Sequence, residues 1–290
     1  MATYDLHQHL WPEPFLAALA ARRSPPSLEG HVLTTCAGRF ELDLGAHDPE
    51  ERLRALGRDG IDVAVLSLQP TLGLATLAEA ERAELEELWS ESVRQVVRAS
   101  GGRFAAFSPG GVREGFVGVS VSAAALVEGG PEEDALDGAH ELGLPVFVHP
   151  DAGSPAEGRP PWWEWVTRYP ARMQEAYLSW LSSGRSRWPR LRVLFAMLAG
   201  GGPFQLERLS LRGVDVRSTL DAGVFFDVST HGRRAIELCI ETFGVAQLAY
   251  GSDTPVADPA PTLRAVRGFG DAVAHVIQTE TPARLLRCTT

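Results

Sequence analysis

The sequence contains no lysine, so all 27 of its basic residues are arginine. This absence excludes a Schiff-base lysine, a lysine general base and a carbamylated lysine that bridges two metal ions. Any metal centre that the chain builds is therefore predicted to hold one ion rather than two.

Cysteine is nearly absent as well. The three cysteines, Cys36, Cys239 and Cys288, are scattered and form no C-x-x-C pair. Such usage suits a reducing compartment, where disulfides are rare, and the missing C-x-x-C pair argues against a cysteine metal site. We expect a cytoplasmic location and no thiol chemistry.

Basic runs and long apolar runs are also missing. The formal net charge is −10, which argues against nucleic acid or an anionic membrane surface as a partner. No segment approaches the roughly 18 consecutive apolar residues of a membrane span. An apolar segment begins at Tyr4 with no basic stretch before it, so we expect no signal peptide. The predicted partner is a small-molecule substrate.

Eight short apolar or β-branched segments recur along the chain, and most are followed by a helical stretch. Continuous apolar runs such as Val146-Phe147-Val148 indicate strands buried on both faces, as in parallel sheets. The eight predicted strands are Tyr4–His9, Ile61–Leu68, Arg103–Ser108, Phe116–Ser122, Leu144–His149, Leu191–Leu198, Val224–Ser229 and Gln247–Asp253.

Helix signals stand between these strands. Asp48-Pro49-Glu50-Glu51 supplies an N-cap, a proline at the first helical position and acids in the first turn. A second helix opens at Pro131-Glu132-Glu133 and ends near Gly143, and a long amphipathic helix covers Leu77–Ser100. The alternation predicts a single (β/α)₈ barrel domain over residues 1–290. A doubly wound open sheet is the competitor, but no G-x-G-x-x-G follows the first strand.

Two segments depart from a plain barrel. After the first strand, Val32–Thr35 and Phe40–Asp43 flank Ala37-Gly38 and predict a small inserted hairpin. After the fifth strand, Gly158–Pro189 holds five of the seven tryptophans. Because so much aromatic surface rarely stays exposed, we expect this excursion to be a lid over the site or a subunit contact, which makes a homodimer possible.

Potential metal ligands stand at the ends of three predicted strands. His7 and His9 end the first, His149 ends the fifth and Asp253 ends the eighth. In a barrel of this kind the carboxyl ends of the strands face the active site, so these side chains are expected to meet there. Three imidazoles and one carboxylate suit Zn²⁺ with one open position, and Mn²⁺, Fe²⁺ or Co²⁺ are alternatives. Taken singly, His149 is equally a core histidine and Asp253 a turn residue before Thr254-Pro255.

Together these segments resemble the amidohydrolase superfamily, in the amidohydrolase-related branch that includes aminocarboxymuconate-semialdehyde decarboxylase. The resemblance covers nearly the whole chain. It implies a (β/α)₈ barrel with one divalent metal ion held by His7, His9, His149 and Asp253. It also implies either hydrolysis of a small ester, lactone or amide, or non-oxidative decarboxylation of an aromatic or enoic acid. The motifs that carry it are His7-Gln8-His9, Leu144-Pro145-Val146-Phe147-Val148-His149-Pro150, Gly251-Ser252-Asp253-Thr254-Pro255 and Pro282-Ala283-Arg284-Leu285-Leu286.

The chain departs from the family pattern after the sixth strand. That group usually has a His-Leu-Gly-Gly type motif there, whose histidine moves protons or polarises the reacting group. Here the segment is Met197-Leu198-Ala199-Gly200-Gly201, and a thioether cannot exchange a proton at neutral pH.

Several other side chains are candidates for the same end of the barrel. His231, after the seventh strand, is the candidate proton carrier, although a solvated residue at a helix N-terminus is the more ordinary interpretation. Arg39 on the hairpin is predicted to hold a substrate carboxylate, and Trp162 to contact the substrate. His31 and His47, in the inserted region, are further candidates.

We rank a mononuclear metal-dependent hydrolase first, acting through a metal-bound hydroxide with Asp253 as ligand and proton acceptor. The methionine at 197 favours this choice, because decarboxylation needs a proton delivered to carbon. A metal-dependent decarboxylase is the alternative. A barrel that binds a ligand without turnover is the third hypothesis.

Overall fold

The computed structural model describes residues 1–130, 132–153, 158–160, 162–216 and 221–287. Its strands are β1 Tyr4–Gln8, β2 Ser27–Glu29, β3 Val32–Thr35, β4 Gly38–Glu41, β5 Val63–Leu66, β6 Phe104–Pro109, β7 Gly118–Ser122, β8 Pro145–His149, β9 Arg192–Phe195, β10 Val224–Asp227 and β11 Leu248–Ala249.

The α-helices follow in the same order. They are α1 Glu13–Ala21, α2 Pro49–Asp59, α3 Glu79–Ala99, α4 Ala124–Val127, α5 Glu133–Leu142, α6 Trp163–Val166, α7 Arg168–Ser179, α8 Arg185–Arg187, α9 Gly202–Ser210, α10 Arg233–Phe243, α11 Ala260–Arg267, α12 Asp271–His275 and α13 Thr281–Leu286. None of the helices in these ranges is both long and apolar enough to cross a bilayer.

Eight of the strands form one parallel sheet in the order β1-β5-β6-β7-β8-β9-β10-β11. The sheet closes on itself, because Leu6 N donates to Tyr250 O at 2.9 Å and His9 N donates to Thr254 O at 2.8 Å. The (β/α)₈ barrel that the sequence predicts is confirmed, and each predicted strand overlaps one barrel strand. Most predicted strands begin before or end after the observed strand, because apolar residues continue into the loops that connect strands and helices.

The predicted helix signals behave as expected where the structure describes them. The Asp48 carboxylate caps α2 by accepting from Glu50 N at 2.8 Å. Gly143 ends α5 in the left-handed region, at φ 65°, which glycine adopts without a Cβ penalty. Pro131, placed at the start of the second helix, lies outside the described residues, as does Cys288. Cys36 and Cys239 are free thiols.

The inserted region has one strand more than the predicted hairpin. The second strand begins at Gly38 rather than Phe40, and β2 adds to the other edge, so the sheet has the order β2-β3-β4. Ser27–Glu29 has only three residues, which is too short for a periodicity signal.

The tryptophan-rich segment is mostly a barrel helix rather than an excursion. Trp180 and Trp188 are core residues, 1% and 4% exposed, and their rings stack at 6.2 Å. Trp162 and Trp165, in contrast, are about half exposed. The expectation of a lid or subunit contact was therefore wrong for the part of the segment after α7, where the aromatic surface is buried against the chain's own core. For the part before α7 it stays a prediction.

His47 belongs to the fold and not to the site. It is 4% exposed, its ring stacks on Trp11 at 4.9 Å, and its Nδ1 accepts the Trp11 backbone N–H at 3.1 Å. Its place in the inserted region did not reveal this, because the contact joins residues 36 positions apart.

The pH dependence of stability should carry a His47 component. Burial, followed by the charge of Arg52, lowers the pKa of His47 from 6.5 to about 4. A depressed histidine pKa stabilises the fold above pH 6.5, and that stability is lost as the pH falls towards 4, by about 3 kcal/mol in all. His47→Asn retains an acceptor for Trp11 but does not titrate, so its free energy of unfolding should fall less between pH 7 and pH 4.5. Urea unfolding at both pH values measures this. The half-exposed His275→Asn is the control, and equal pH dependence in both variants would contradict the assignment.

Gly200 fixes the contact between α7 and the turn that follows β9. Its φ is +62°, and an added Cβ would overlap the Pro170 carbonyl and lie 2.8 Å from Pro170 Cα. Gly213 has a φ of +85° with nothing within 4 Å of such a Cβ. Gly213→Ala should therefore cost about 1–2 kcal/mol for the left-handed backbone alone, and Gly200→Ala at least about 3 kcal/mol because backbone must also move. Thermal unfolding measures both variants, and equal losses would show that the close contact has no cost.

Candidate metal centre

Four side chains converge at the carboxyl ends of the barrel strands. They are His7 on β1, His9 just beyond it, His149 at the end of β8 and Asp253 after β11, and one ligand atom of each lies within 4.8 Å of the others. His7 Nε2 and His9 Nε2 are 3.1 Å apart, and Asp253 Oδ1 lies 3.4 Å from the first and 3.2 Å from the second. Such separations are typical of neighbouring ligands of one ion, whose bonds are about 2.0–2.2 Å long.

Each imidazole has its other nitrogen engaged. His7 Nδ1 lies 2.8 Å from Asp227 Oδ2, His9 Nδ1 lies 3.0 Å from Ser67 O, and His149 Nδ1 lies 2.9 Å from Pro150 O. Carboxylate and carbonyl oxygens only accept, so the Nδ1 atoms carry the protons. The Nε2 lone pairs then point to the shared position, which is the usual arrangement of histidines that bind a metal.

Asp227 is the functional residue that the sequence analysis missed. It ends β10, is fully buried, and accepts from Ser229 N at 2.8 Å and Met197 N at 3.2 Å in addition to His7. A signal for it was present. Val224-Phe225-Phe226-Asp227 is an apolar run that ends in a carboxylate, the pattern that identified Asp253.

The backbone around Asp253 is built for close approach. Asp253 N donates to His7 O at 2.8 Å, and its φ is 63°. A Cβ on Gly251 would lie 2.7 Å from His7 Cβ and 3.1 Å from Asp227 Cβ. Glycine at 251 is therefore required for the first, seventh and eighth barrel strands to bring their side chains to one point.

Electrostatics at the centre favour an added cation. Burial alone would raise the pKa of Asp253, but His7 and His9 outweigh it and hold that pKa below its usual value. Burial alone would lower the pKa of His7, but Asp227 and Asp253 raise it to about 9. Burial and the charges of His7 and His9 lower the pKa of His149 to about 3. The carboxylates of Asp227 and Asp253 thus keep His7 positively charged, whereas His149 is neutral. Three imidazoles and one carboxylate fit a single divalent ion.

The remaining predicted site residues lie outside this cluster. His231 is half-buried, and its Nδ1 lies 2.8 Å from Ser229 O. Arg39 is exposed opposite Thr34 on the inserted sheet, and Trp162 is 50% exposed. His31 is exposed at the tip of the same sheet. None of the four has a hydrogen bond or ring contact to the cluster in the described ranges, so their roles stay predictions.

Met197 lies beside Asp227 through its backbone. Its N–H donates to Asp227 Oδ1 at 3.2 Å, and Met197, Leu198 and Ala199 all have positive φ, at 54°, 51° and 51°. The side chain is half-buried against the core. The turn therefore keeps a defined shape at the barrel mouth without a proton-carrying side chain.

A cavity of about 480 Å³ lies next to β8, the strand that carries His149, because Ser122 on β7 lines it and is in register with His149. None of the four clustered side chains is among its lining residues. Its walls come from the residues after β5, β6 and β8, from β7, and from α7, including Tyr169. Burial, then the charges of Glu164, Cys36 and Asp253, raises the pKa of Tyr169 to about 12, so this phenol stays a hydrogen-bond donor. Neither Arg39 nor Trp162 is among the lining residues.

The chain is similar in sequence to a protein named as a decarboxylase. It is 25% identical over 293 residues to 2-amino-3-carboxymuconate-6-semialdehyde decarboxylase of Dictyostelium discoideum, which covers 87% of this chain and 81% of that protein. No family model matches the chain.

Solved structures share the fold over nearly the full length. The 5-carboxyvanillate decarboxylase of Sphingomonas paucimobilis superposes with a TM-score of 0.79 at 18% identity, covering 99% of both chains. A dihydroxybenzoic acid decarboxylase of Polaromonas sp. JS666, with bound manganese and the inhibitor 2-nitroresorcinol, gives 0.73 at 16% identity, covering 99% of this chain and 97% of that one. These comparisons confirm the resemblance to the amidohydrolase superfamily, in the branch that includes aminocarboxymuconate-semialdehyde decarboxylase.

Proposed function

We propose that this chain is a metal-dependent decarboxylase of an aromatic or enoic acid. The observation that carries the proposal is the buried cluster of His7, His9, His149 and Asp253 beside a cavity of about 480 Å³. The three relatives described above are named as decarboxylases, so the hydrolase that we ranked first gives way to the alternative. That ranking rested on Met197, and it gave too little weight to Asp253 as a proton donor.

The proposed ligands of the ion are His7, His9, His149 and Asp253. A divalent cation bound there supplies positive charge that attracts the oxygens of an acid substrate. The donor set suits zinc, and the manganese in the Polaromonas relative makes Mn²⁺ the principal competitor. The structure brings together one such ligand group among its described residues, which agrees with one ion per chain.

Asp253 is the proposed proton carrier. Its side chain is 14% exposed, against 1% for His7 and 0% for His9, so it is the carboxylate of the cluster that can reach a bound acid. The pKa of Asp253 is held below its usual value, so the carboxylate would first take a proton from solvent. In the proposed step that proton would bond to the carbon that bears the substrate carboxylate. The bond to that carboxylate breaks, its electron pair remains on the carbon skeleton, and carbon dioxide leaves. Asp253 is then ionised and takes a new proton before the next cycle.

Other predicted features stay predictions. They are the second proton carrier His231, the substrate contacts Arg39 and Trp162, a homodimer, a cytoplasmic location and a single domain over residues 1–290. The cavity and the names of the relatives support an aromatic or enoic acid as the substrate.

The activity is tested by metal removal and by ligand substitution. The metal-loaded protein should release carbon dioxide from at least one member of a panel of hydroxybenzoates and unsaturated carboxylic acids. Chelation or His149→Ala should abolish the release and remove the metal together.

His231→Ala should keep the metal at one equivalent and lose turnover if His231 carries a proton. Full activity in this variant would show that His231 has no role in the reaction. Hydrolysis of a lactone or amide without carbon dioxide would restore the hydrolase hypothesis, and binding without turnover would favour the third.

Asp227 should control metal affinity without touching the metal. Asp227→Asn keeps the shape of the side chain but weakens the partner of His7 Nδ1, so the affinity for the metal should fall by about 10- to 100-fold. Titration with Mn²⁺ or Zn²⁺ by calorimetry measures this. Glu237→Gln, on the exposed face of α10, changes the net charge equally and is the control. Unchanged affinity in Asp227→Asn would show that the carboxylate does not orient His7.

A further inference from the structure

The cavity beside the metal centre begins one strand away from a proposed ligand. Ser122 on β7 is in register with His149 on β8, and Ser120 with Phe147. Neighbouring strands lie about 4.8 Å apart, so the β7 side of the cavity lies next to the strand that carries His149. A substrate that extends from the proposed ion into this cavity would meet the wall with the side away from the departing carboxylate.

Charged side chains line this cavity in unequal number. Three guanidinium groups face five carboxyl groups, namely Arg82, Arg168 and Arg172 against Glu86, Glu128, Glu132, Asp151 and Glu175. If all are ionised, the walls carry an excess of two negative charges.

Arg172 is saturated by neighbouring acids. It pairs with both oxygens of Asp151 at 3.2 and 3.0 Å, with Glu128 at 2.6 Å and with Glu175 at 3.0 Å. Arg168 pairs with Glu164 at 3.4 Å. A substrate carboxylate could therefore bind Arg168 or Arg172 only if an existing ion pair were broken.

Three polar groups on the opposite wall have no such partners. Arg82 and Glu86, one turn apart on α3, line the cavity, and their side chains form no hydrogen bond or ion pair within the described ranges. Ser120 is 4% exposed and also lines the cavity, and its Oγ has no hydrogen-bond partner. A buried hydroxyl without a partner costs free energy unless a ligand or water satisfies it.

We propose that Arg82, Glu86 and Ser120 form a subsite for the ring substituent of the acid substrate, and that this substituent is a neutral hydrogen-bonding group such as a hydroxyl. The proposal rests on the decarboxylase function proposed above. A hydroxyl can donate to the carboxyl group of Glu86 and, through its two lone pairs, accept from both Arg82 and Ser120, so it can use all three groups.

A second carboxylate fits this wall poorly. It has no proton to donate to Glu86, and the excess of carboxyl groups offsets the attraction of Arg82, whose charge already acts on Glu86 and Glu132. Glu132 adds to that excess next to Ser122, whose Oγ donates to it at 2.5 Å. Burial raises the pKa of both Glu86 and Glu132, but a neutral carboxyl group would still offer a carboxylate no attraction beyond one hydrogen bond.

Matched pairs of benzoates test the subsite by binding to the metal-loaded protein. The pairs are 3-hydroxybenzoate with benzene-1,3-dicarboxylate and 4-hydroxybenzoate with benzene-1,4-dicarboxylate, measured by calorimetry. In at least one pair the hydroxy acid should bind at least about tenfold more tightly. Glu86→Gln should reduce that preference by at least about fivefold, and the solvent-facing Glu84→Gln on the same helix should leave it unchanged. Ser120→Ala removes a hydroxyl without a partner, so the variant should fold normally. Its affinity should fall for the hydroxy acid only.

The possible results separate this subsite from the proposed reaction. Equal or tighter binding of the dicarboxylates, no measurable binding of either hydroxy acid, or an equal response in Glu86→Gln and Glu84→Gln would overturn the subsite. If the binding preference holds while no acid releases carbon dioxide, the subsite stands and the decarboxylase function fails. If carbon dioxide is released and dicarboxylates are preferred, the decarboxylase function stands and the subsite fails.

Discussion

Closure of the barrel is the constraint on which the metal centre depends. His7 and His9 come from the first barrel strand and Asp253 follows the last, so an open sheet would hold them at opposite edges. In the closed barrel, Asp253 N donates to His7 O at 2.8 Å and His9 N donates to Thr254 O at 2.8 Å. Two of the hydrogen bonds that close the sheet thus involve the backbone of three of the four proposed ligands, and a third joins Leu6 N to Tyr250 O. Folding and site assembly are consequently one event at this seam.

The charges at the junction of the first and last barrel strands explain why the cluster needs an ion. Asp227 and Asp253 are held by the barrel within hydrogen-bond or ion-pair distance of His7. Burying two carboxylates is costly unless positive charge accompanies them. In the metal-free protein a protonated His7 is that charge, whereas a divalent ion would replace the proton and leave His7 neutral. Metal and proton therefore compete for the same position.

The sequence predicted most of the fold and all four members of the cluster for the same physical reason. Apolar runs at regular spacing indicate buried parallel strands, and polar residues that end such runs fall at the barrel mouth, as His149 and Asp253 do. Contacts across the fold were not predictable. His47 packs on Trp11, and Arg82 and Ser120 share a cavity wall only because α3 and β7 flank it. Asp227 could have been predicted from the same pattern, since it ends an apolar run at the end of a strand as Asp253 does.

The turn at Met197 keeps a defined backbone shape, although residue 197 is not the histidine of the pattern that the sequence resembles. Three successive residues without glycine have positive φ there, at a cost of about 1–2 kcal/mol each. Such strain persists only where surrounding contacts fix it. Here Asp227 holds the Met197 N–H at 3.2 Å, and Gln174 Nε2 donates to Gly200 O at 2.5 Å. These contacts are to the backbone, so the side chain at 197 can change without releasing Asp227 from His7. The chain can therefore lack a histidine at this position and still keep the proposed metal ligands oriented, which agrees with the proposal that Asp253 carries the proton.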